Sequence, residues 1–213
     1  MTSISRLKVF QSRLPLGVNL LAVSKGHPPS SIRTLVGQGQ NEFGESKLQE
    51  ALPKINDLRD LKKIKWHFIG QVQTNKVRSI VQEFDVIHSV DSLKLAERIS
   101  RIAKEENKKP LLLAQVKFRP DSTKTGFSEN ELLEVWGTLN SLPNIKFVGL
   151  MTITPIELAL HQRKNVFREC RDLANKLDLH ECSMGMSGDW QEALDAGSTW
   201  LRIGSALFGD RQK

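Results

Sequence analysis

Lys25 follows an apolar run, residues 19–24 (NLLAVS), whose composition predicts a β-strand. Side chains alternate along a strand, so Leu21, Val23 and Lys25 share one face. If that face lines a closed interior, the amine emerges at the mouth, partly out of water. Desolvation favours a neutral amine, and a neutral amine condenses with a carbonyl to give a Schiff base. The bland alternative is a solvated lysine at a strand end.

Three other segments carry polar groups at strand ends. Trp66-His67-Phe68-Ile69-Gly70 places His67 opposite Trp66 and Phe68, either as a hydrogen-bonded core histidine or as part of a pocket. Gly70, without a Cβ, would let a ring approach the backbone. Ser183-Met184-Gly185-Met186-Ser187 offers hydroxyls and the predicted start of a helix at Ser187, where free N–H groups suit a dianionic phosphate. An ordinary N-cap at Ser187 explains the same residues. Arg202-Ile203-Gly204-Ser205 places a guanidinium on the face shared by Trp200 and Gly204. A buried arginine needs a partner, either a neighbouring carboxylate or a ring nitrogen of a ligand. Gly204 and Ser205 add donors beside those after residue 183, so the two loops together suit a phosphate better than either alone. The polar segment 121–127 (DSTKTGF) predicts a rim loop.

The elements that must position these groups alternate regularly. Predicted strands cover residues 19–24, 41–44, 64–69, 84–90, 111–117, 145–151, 179–183 and 199–203. Helical patterns cover 28–37, 46–61, 75–83, 94–106, 128–140, 158–177 and 187–196, with a last turn at 205–208. Asp91 reads as the N-cap of the fourth of these helices, and Ser128 with Glu131 as a capping box. Eight strand–helix units with short links imply parallel strands and right-handed crossovers. The count favours a closed (β/α)₈ barrel, a TIM barrel of the α/β class, over an open doubly wound sheet. Such barrels carry their chemistry at the C-terminal ends of the strands and hold phosphate after strands seven and eight. No linker or change in composition divides the chain, so one domain over residues 1–213 is expected.

The bulk properties narrow the classes. Hydrophobic residues are 39% and charged residues 26%, as in a globular chain. The net charge of +7 favours anionic partners, but the lysines are scattered and read as solvated faces. A nucleic-acid binder would show a basic stripe interleaved with aromatics, and neither is present, so nucleic acid is not an expected partner. Cys170 and Cys182 have no metal-ligand spacing, so neither a disulfide framework nor a metal site is expected. Residues 1–20 lack the pattern of a secretory leader, and no apolar run is long enough to span a membrane. The expectation is a cytoplasmic protein without membrane contact.

Taken together, the motifs resemble one family. They are AVSK (22–25), FGESKLQE (43–50), WHFIGQVQTNK (66–76), KTGF (124–127), GLM (149–151), SMGMSGDWQEAL (183–194) and GSTWLRIGSALFG (197–209). Nearly the whole chain is similar to the pyridoxal 5′-phosphate (PLP) homeostasis proteins. These resemble the N-terminal barrel of alanine racemases, of fold type III, without the second domain. The resemblance implies that Lys25 holds PLP as a Schiff base and that Ser187, Gly204 and Ser205 hold its phosphate. It implies that Arg202 faces the pyridine nitrogen and that His67, Ser89, Met151 and Ser183 line the pocket. Family members commonly have asparagine where this chain has Ser46, and serine offers no amide to the cofactor.

The family role is PLP (vitamin B6) homeostasis and balance of amino and keto acids, without robust catalysis. The alternative is a PLP-dependent amino-acid racemase of low activity. Racemisation needs proton donors and acceptors on both faces of the substrate carbon. In alanine racemases a tyrosine serves the face opposite the lysine, and this chain contains no tyrosine. His67 would have to stand in. Arg202 stays protonated and keeps the ring nitrogen from carrying its own proton, which weakens the ring as an electron sink. A carrier or regulator is therefore favoured over an enzyme. The expected protein is a monomer, with PLP-dependent enzymes or a regulatory protein as further partners.

Overall fold

The computed structural model describes residues 2–121 and 123–209. Eight parallel strands close into a barrel in sequence order. They are β1 (Asn19–Val23), β2 (Glu42–Glu45), β3 (Lys65–Phe68), β4 (Val86–Val90), β5 (Leu111–Gln115), β6 (Lys146–Met151), β7 (Glu181–Met186) and β8 (Trp200–Ile203). The helices around them are α2 (Pro29–Val36), α3 (Leu48–Asp57), α4 (Val77–Glu83), α5 (Leu93–Glu105), α6 (Glu129–Ser141), α7 (Leu160–Lys176) and α8 (Trp190–Asp195). A short α9 (Ser205–Phe208) follows β8. The seam that closes the barrel pairs Leu21 with Arg202 and Ala22 with Ile203.

Alternation along the strands sorts the apolar residues into two sets. Leu20, Ala22, Phe43, Ile87, Leu112 and Leu201 face the helices and belong to the large core between barrel and helices. Val86, Leu113 and Met151 form a small separate cluster on the opposite, inner face. The interior also holds Leu21 and Val23 and four polar residues, His67, His88, Ser183 and Arg202, all nearly or fully buried. The inner cluster therefore plugs only part of the lumen.

Three local details depart from the sequence expectation. The chain opens with a helix that the sequence reading leaves out, α1 (Ser3–Arg13), capped by Thr2 and burying Leu7 and Phe10. It packs against α2 and α9, and Phe10 meets the edge of Trp190 at 5.5 Å. The N-cap before α5 is Ser92, not Asp91, because the Ser92 side chain accepts from Leu95 N–H. The helix after β7 begins at Trp190, not Ser187. Strand β7 runs on through a register shift, with Gly185 at φ +89°, where a Cβ would lie 2.5 Å from that of Ala193. Ser187 therefore sits in a turn. The capping box of Ser128 and Glu131 is present as expected.

Candidate functional site

A cavity of about 540 Å³ opens at the C-terminal mouth of the barrel. Lys25 stands on one wall, just past β1, above Val23. Arg202 lines it from β8, and Ser187, Gly204 and Ser205 line it from the loops after β7 and β8. Ser46, Ile69, Ile153 and Met186 complete much of the rest. Six of the ten residues singled out in the sequence thus share one cavity: Lys25, Ser46, Ser187, Arg202, Gly204 and Ser205.

The segment carrying Lys25 is held from behind by a buried ionic cluster. Lys54 of α3 donates to the Ser24 carbonyl at 2.9 Å, to Glu45 at 2.8 Å and to Glu50 at 2.6 Å. Three acceptors match the three protons of the ammonium group. Glu45 also accepts from the Ser24 hydroxyl at 2.7 Å, and Glu50 accepts from Gly26 N–H at 2.5 Å. Residues 24 and 26 are therefore both fixed, and Lys25 lies between them. Burial pushes the Glu45 carboxyl up, against the hydrogen bonds from Lys54 and Ser24, and one of its oxygens is buried without a partner. Burial also raises Glu50, but the bonds from Lys54 and Gly26 outweigh it and hold Glu50 below its usual range.

Arg202 is held by neutral groups. Its Nη1 donates to the Ser183 carbonyl at 2.5 Å and hydroxyl at 2.9 Å, and its Nη2 donates to the Thr152 carbonyl at 2.9 Å. Of the two partners the sequence allows, a carboxylate and a ligand's ring nitrogen, the first is absent from these contacts: two carbonyls and a hydroxyl hold the group. Burial pulls the guanidinium down to about 10, against the opposing influence of Asp189 and Cys170, so it stays charged at neutral pH. These contacts use three of the five guanidinium hydrogens, and Arg202 also lines the cavity.

The two loops expected to share an anion are joined. Ser187 Oγ accepts from Ala206 N–H at 3.3 Å, which brings the turn after β7 against the first turn of α9. Asp189, also in that turn, accepts from Met186 N–H at 2.7 Å and fixes its shape.

The other four candidates lie off the cavity wall. His67 is in the lower interior, between Glu42 at 2.7 Å and His88 at 2.8 Å, so the hydrogen-bonded core reading describes it. Ser183 sits beneath Arg202, between it and His88. Met151 belongs to the inner apolar cluster. Ser89 turns its hydroxyl to the Gly70 carbonyl, where β4 shifts register against β5. Gly70 makes room for backbone and not for a ring: a Cβ there would lie 2.0 Å from the Ser46 carbonyl oxygen.

The sequence reading missed His27, which lines the cavity and stacks on Phe208 at 4.7 Å. It also missed Lys54, Glu45, Glu50 and His88. The four-residue spacing of Glu50 and Lys54 is visible in the sequence, since residues four apart share a helix face. His88 gave no signal beyond being a polar residue in a strand.

Among the described residues there is no cluster of His, Cys, Asp and Glu able to hold a metal ion, and no helix is long and apolar enough to cross a membrane. Cys170 and Cys182 are buried free thiols.

The closed barrel with an amine after β1 and a donor-lined mouth at β7 and β8 defines a fold type III barrel. The family described as alanine racemase, N-terminal domain, matches residues 4–212. The pyridoxal phosphate homeostasis protein of a Synechocystis strain is 46% identical over 204 residues, covering 93% of this chain and 94% of that protein. That of Pseudomonas aeruginosa is 40% identical over 202 residues, covering 93% and 87%. The structure of PipY from Synechococcus elongatus, with PLP bound, superposes with a TM-score of 0.94 at 42% identity, covering 98% of this chain and 100% of that one. The alanine racemase of Clostridium difficile shares the fold, with a TM-score of 0.77 at 17% identity over 99% of this chain and 57% of that one. The chain belongs to the alanine racemase N-terminal domain family, among its pyridoxal phosphate homeostasis proteins.

Proposed function

We propose that this protein binds PLP in the cavity over the strand ends, attaches it at Lys25, and serves PLP homeostasis without turning over amino acids. The single observation that carries this reading is the meeting, in one cavity, of Lys25, Arg202 and the joined loops of Ser187, Gly204 and Ser205. The donor set fits the cofactor. An ester dianion needs several N–H and hydroxyl donors, and the two joined loops supply them. A ring nitrogen needs one donor, and Arg202 has hydrogens to spare. An aldehyde needs an amine, and Lys25 supplies it.

When bound, PLP supplies an aldehyde that condenses with amines and a ring that accepts electrons. The protein's own groups do the rest. Ser187 and Ser205 would hold the phosphate, with backbone N–H groups beside Gly204. Lys25 is presented by the fixed segment 24–26. Arg202 would donate to the ring nitrogen and, being a persistent cation, would leave that nitrogen without a proton. That arrangement favours retention over carbanion chemistry.

A racemase would need a second proton-transfer group at the cavity. His67 is elsewhere, and among the described lining residues only Lys25, His27 and Arg202 titrate or carry charge. His27 is stacked on Phe208, and the carrier reading is preferred. The same reading places the protein in the cytoplasm as a monomer, with PLP-dependent enzymes or a regulatory protein as partners.

The test is the absorbance spectrum of purified protein loaded with PLP, followed by borohydride reduction and mass mapping. Yellow protein with the modification on Lys25, and a colourless Lys25→Ala variant, are expected. An unchanged spectrum in that variant would refute the assignment. Sustained conversion of L-amino acids to the D-form, on the order of 1 s⁻¹ or faster, would replace the carrier by an enzyme.

A further inference from the structure

A continuous line of hydrogen bonds runs through the barrel interior from Arg202 to Glu42. Arg202 meets Ser183 Oγ at 2.9 Å, Ser183 Oγ meets His88 Nδ1 at 2.9 Å, His88 Nε2 meets His67 Nδ1 at 2.8 Å, and His67 Nε2 meets Glu42 at 2.7 Å. Its lower end opens on a second cavity of about 440 Å³ at the N-terminal side of the barrel, lined by Glu42, His67 and Trp200 among others. Trp200 lies against both histidine rings, at 4.9 Å from His67 and 6.4 Å from His88.

The two ends of this line fix the direction of its outer links. A guanidinium only donates, so Ser183 Oγ accepts from Arg202. The Glu42 carboxylate only accepts, so His67 donates to it from Nε2. The two middle links follow the tautomer of His88: Ser183 gives its hydrogen to Nδ1, or accepts from Nδ1 with its second lone pair. In both arrangements Ser183 Oγ remains an acceptor for Arg202. Burial, then His67 and Arg202, hold His88 well below the ordinary histidine value.

We propose that Ser183 and His88 are positioning residues for Arg202: the line of hydrogen bonds anchored at Glu42 holds Ser183 Oγ in place as an acceptor for the guanidinium, and so keeps the remaining edge of Arg202 turned to a ring nitrogen in the upper cavity. This rests on the PLP reading above and deepens it. Ser183, His88 and Glu42 do not line the upper cavity, so their influence on a bound cofactor passes through Arg202.

The experiment compares release of two cofactors into a trapping amine, followed by absorbance. One is PLP. The other is its deaza analogue, in which C–H replaces the ring nitrogen and Arg202 has nothing to meet. Ser183→Ala removes the junction with Arg202, and Glu42→Gln removes the charged anchor at the half-buried end. The expected result is release of PLP on the order of tenfold faster from Ser183→Ala, the loss of one hydrogen bond to a charged group. A smaller acceleration is expected from Glu42→Gln, with release of the deaza analogue unchanged in both. Equal acceleration of both cofactors, or of neither, would overturn the proposal. If Ser183→Ala does not fold, Glu42→Gln decides by the same comparison. If wild-type protein retains neither cofactor, the PLP reading itself falls, which is a different outcome from a variant that matches the wild type.

Discussion

The two basic residues of the upper cavity, Lys25 and Arg202, are secured in opposite ways. Lys25 is placed through its backbone neighbours, by a charged knot of Lys54, Glu45 and Glu50 outside the barrel wall. Arg202 is placed through its own side chain, by uncharged groups inside the lumen. On the Lys25 side the fixing groups act on residues 24 and 26, the chain neighbours of the lysine. An arginine that only donates can spend some of its five hydrogens on the protein and keep the rest. A charged knot tolerates little damage, because a lost partner strands a buried charge. A neutral chain loses one modest bond at a time.

The largest expected effect is therefore on the Lys25 side. Lys54→Met leaves the buried Glu45 carboxylate without its cation and should destabilise by about 3–5 kcal/mol in denaturant titration. Adding Glu45→Met replaces the pair by apolar groups and should recover most of that loss. The double variant should still bind pyridoxine 5′-phosphate, which lacks the aldehyde, while covalent attachment of PLP to Lys25 slows. Full recovery of attachment along with stability would break the contrast, since it would leave the knot a purely structural role.

On the Arg202 side, Ser183→Ala should cost about 1 kcal/mol of stability. A loss as large as that of Lys54→Met would erase the distinction between the two holds.

A smaller effect concerns pH. Folded His88 titrates well below its ordinary 6.5 because it is buried beside His67 and Arg202. Between those two values the unfolded chain binds more protons than the folded one. Stability should hold steady above 6.5 and fall as pH drops below it, by at most about 1.4 kcal/mol per pH unit from this group. His88→Gln should flatten that limb of a melting-temperature profile. Glu50 and Glu42, both held below 4.5, act only at lower pH: the stability they contribute is lost as pH falls through their depressed values. The least effect is expected for Arg119→Gln, which breaks a half-exposed pair with Glu169 and should leave the midpoint unmoved.

The barrel was legible because each strand is a short β-rich run and each crossover an amphipathic one, and eight such pairs have one closed solution. The cavity was legible where residues follow strands directly: Lys25, Arg202, Gly204 and Ser205 are fixed by alternation from the strand before them. It was illegible where a strand departs from its period. The shift in β7 moves Ser187 into a turn three residues before α8, and the shift near Ser89 turns that hydroxyl to the Gly70 carbonyl. Periodicity says which face a side chain takes, but not at what depth, so His67, Met151 and Ser183 shared the cavity's face while lying below it. The knot behind Lys25 was hidden for another reason. Its members come from β2 and α3, and only the assembled fold brings them to residues 24 and 26.

The last strand has a consequence for synthesis of the protein. Arg202 pairs across the closing seam with Leu21, so the first and last strands of the chain are neighbours although almost the full sequence separates them. A nascent chain emerging from the ribosome carries Lys25 early and the groups opposite it only at the end. Until β8 arrives, the barrel lacks both its seam and its second cation. The cavity is thus complete only once β8 has paired with β1.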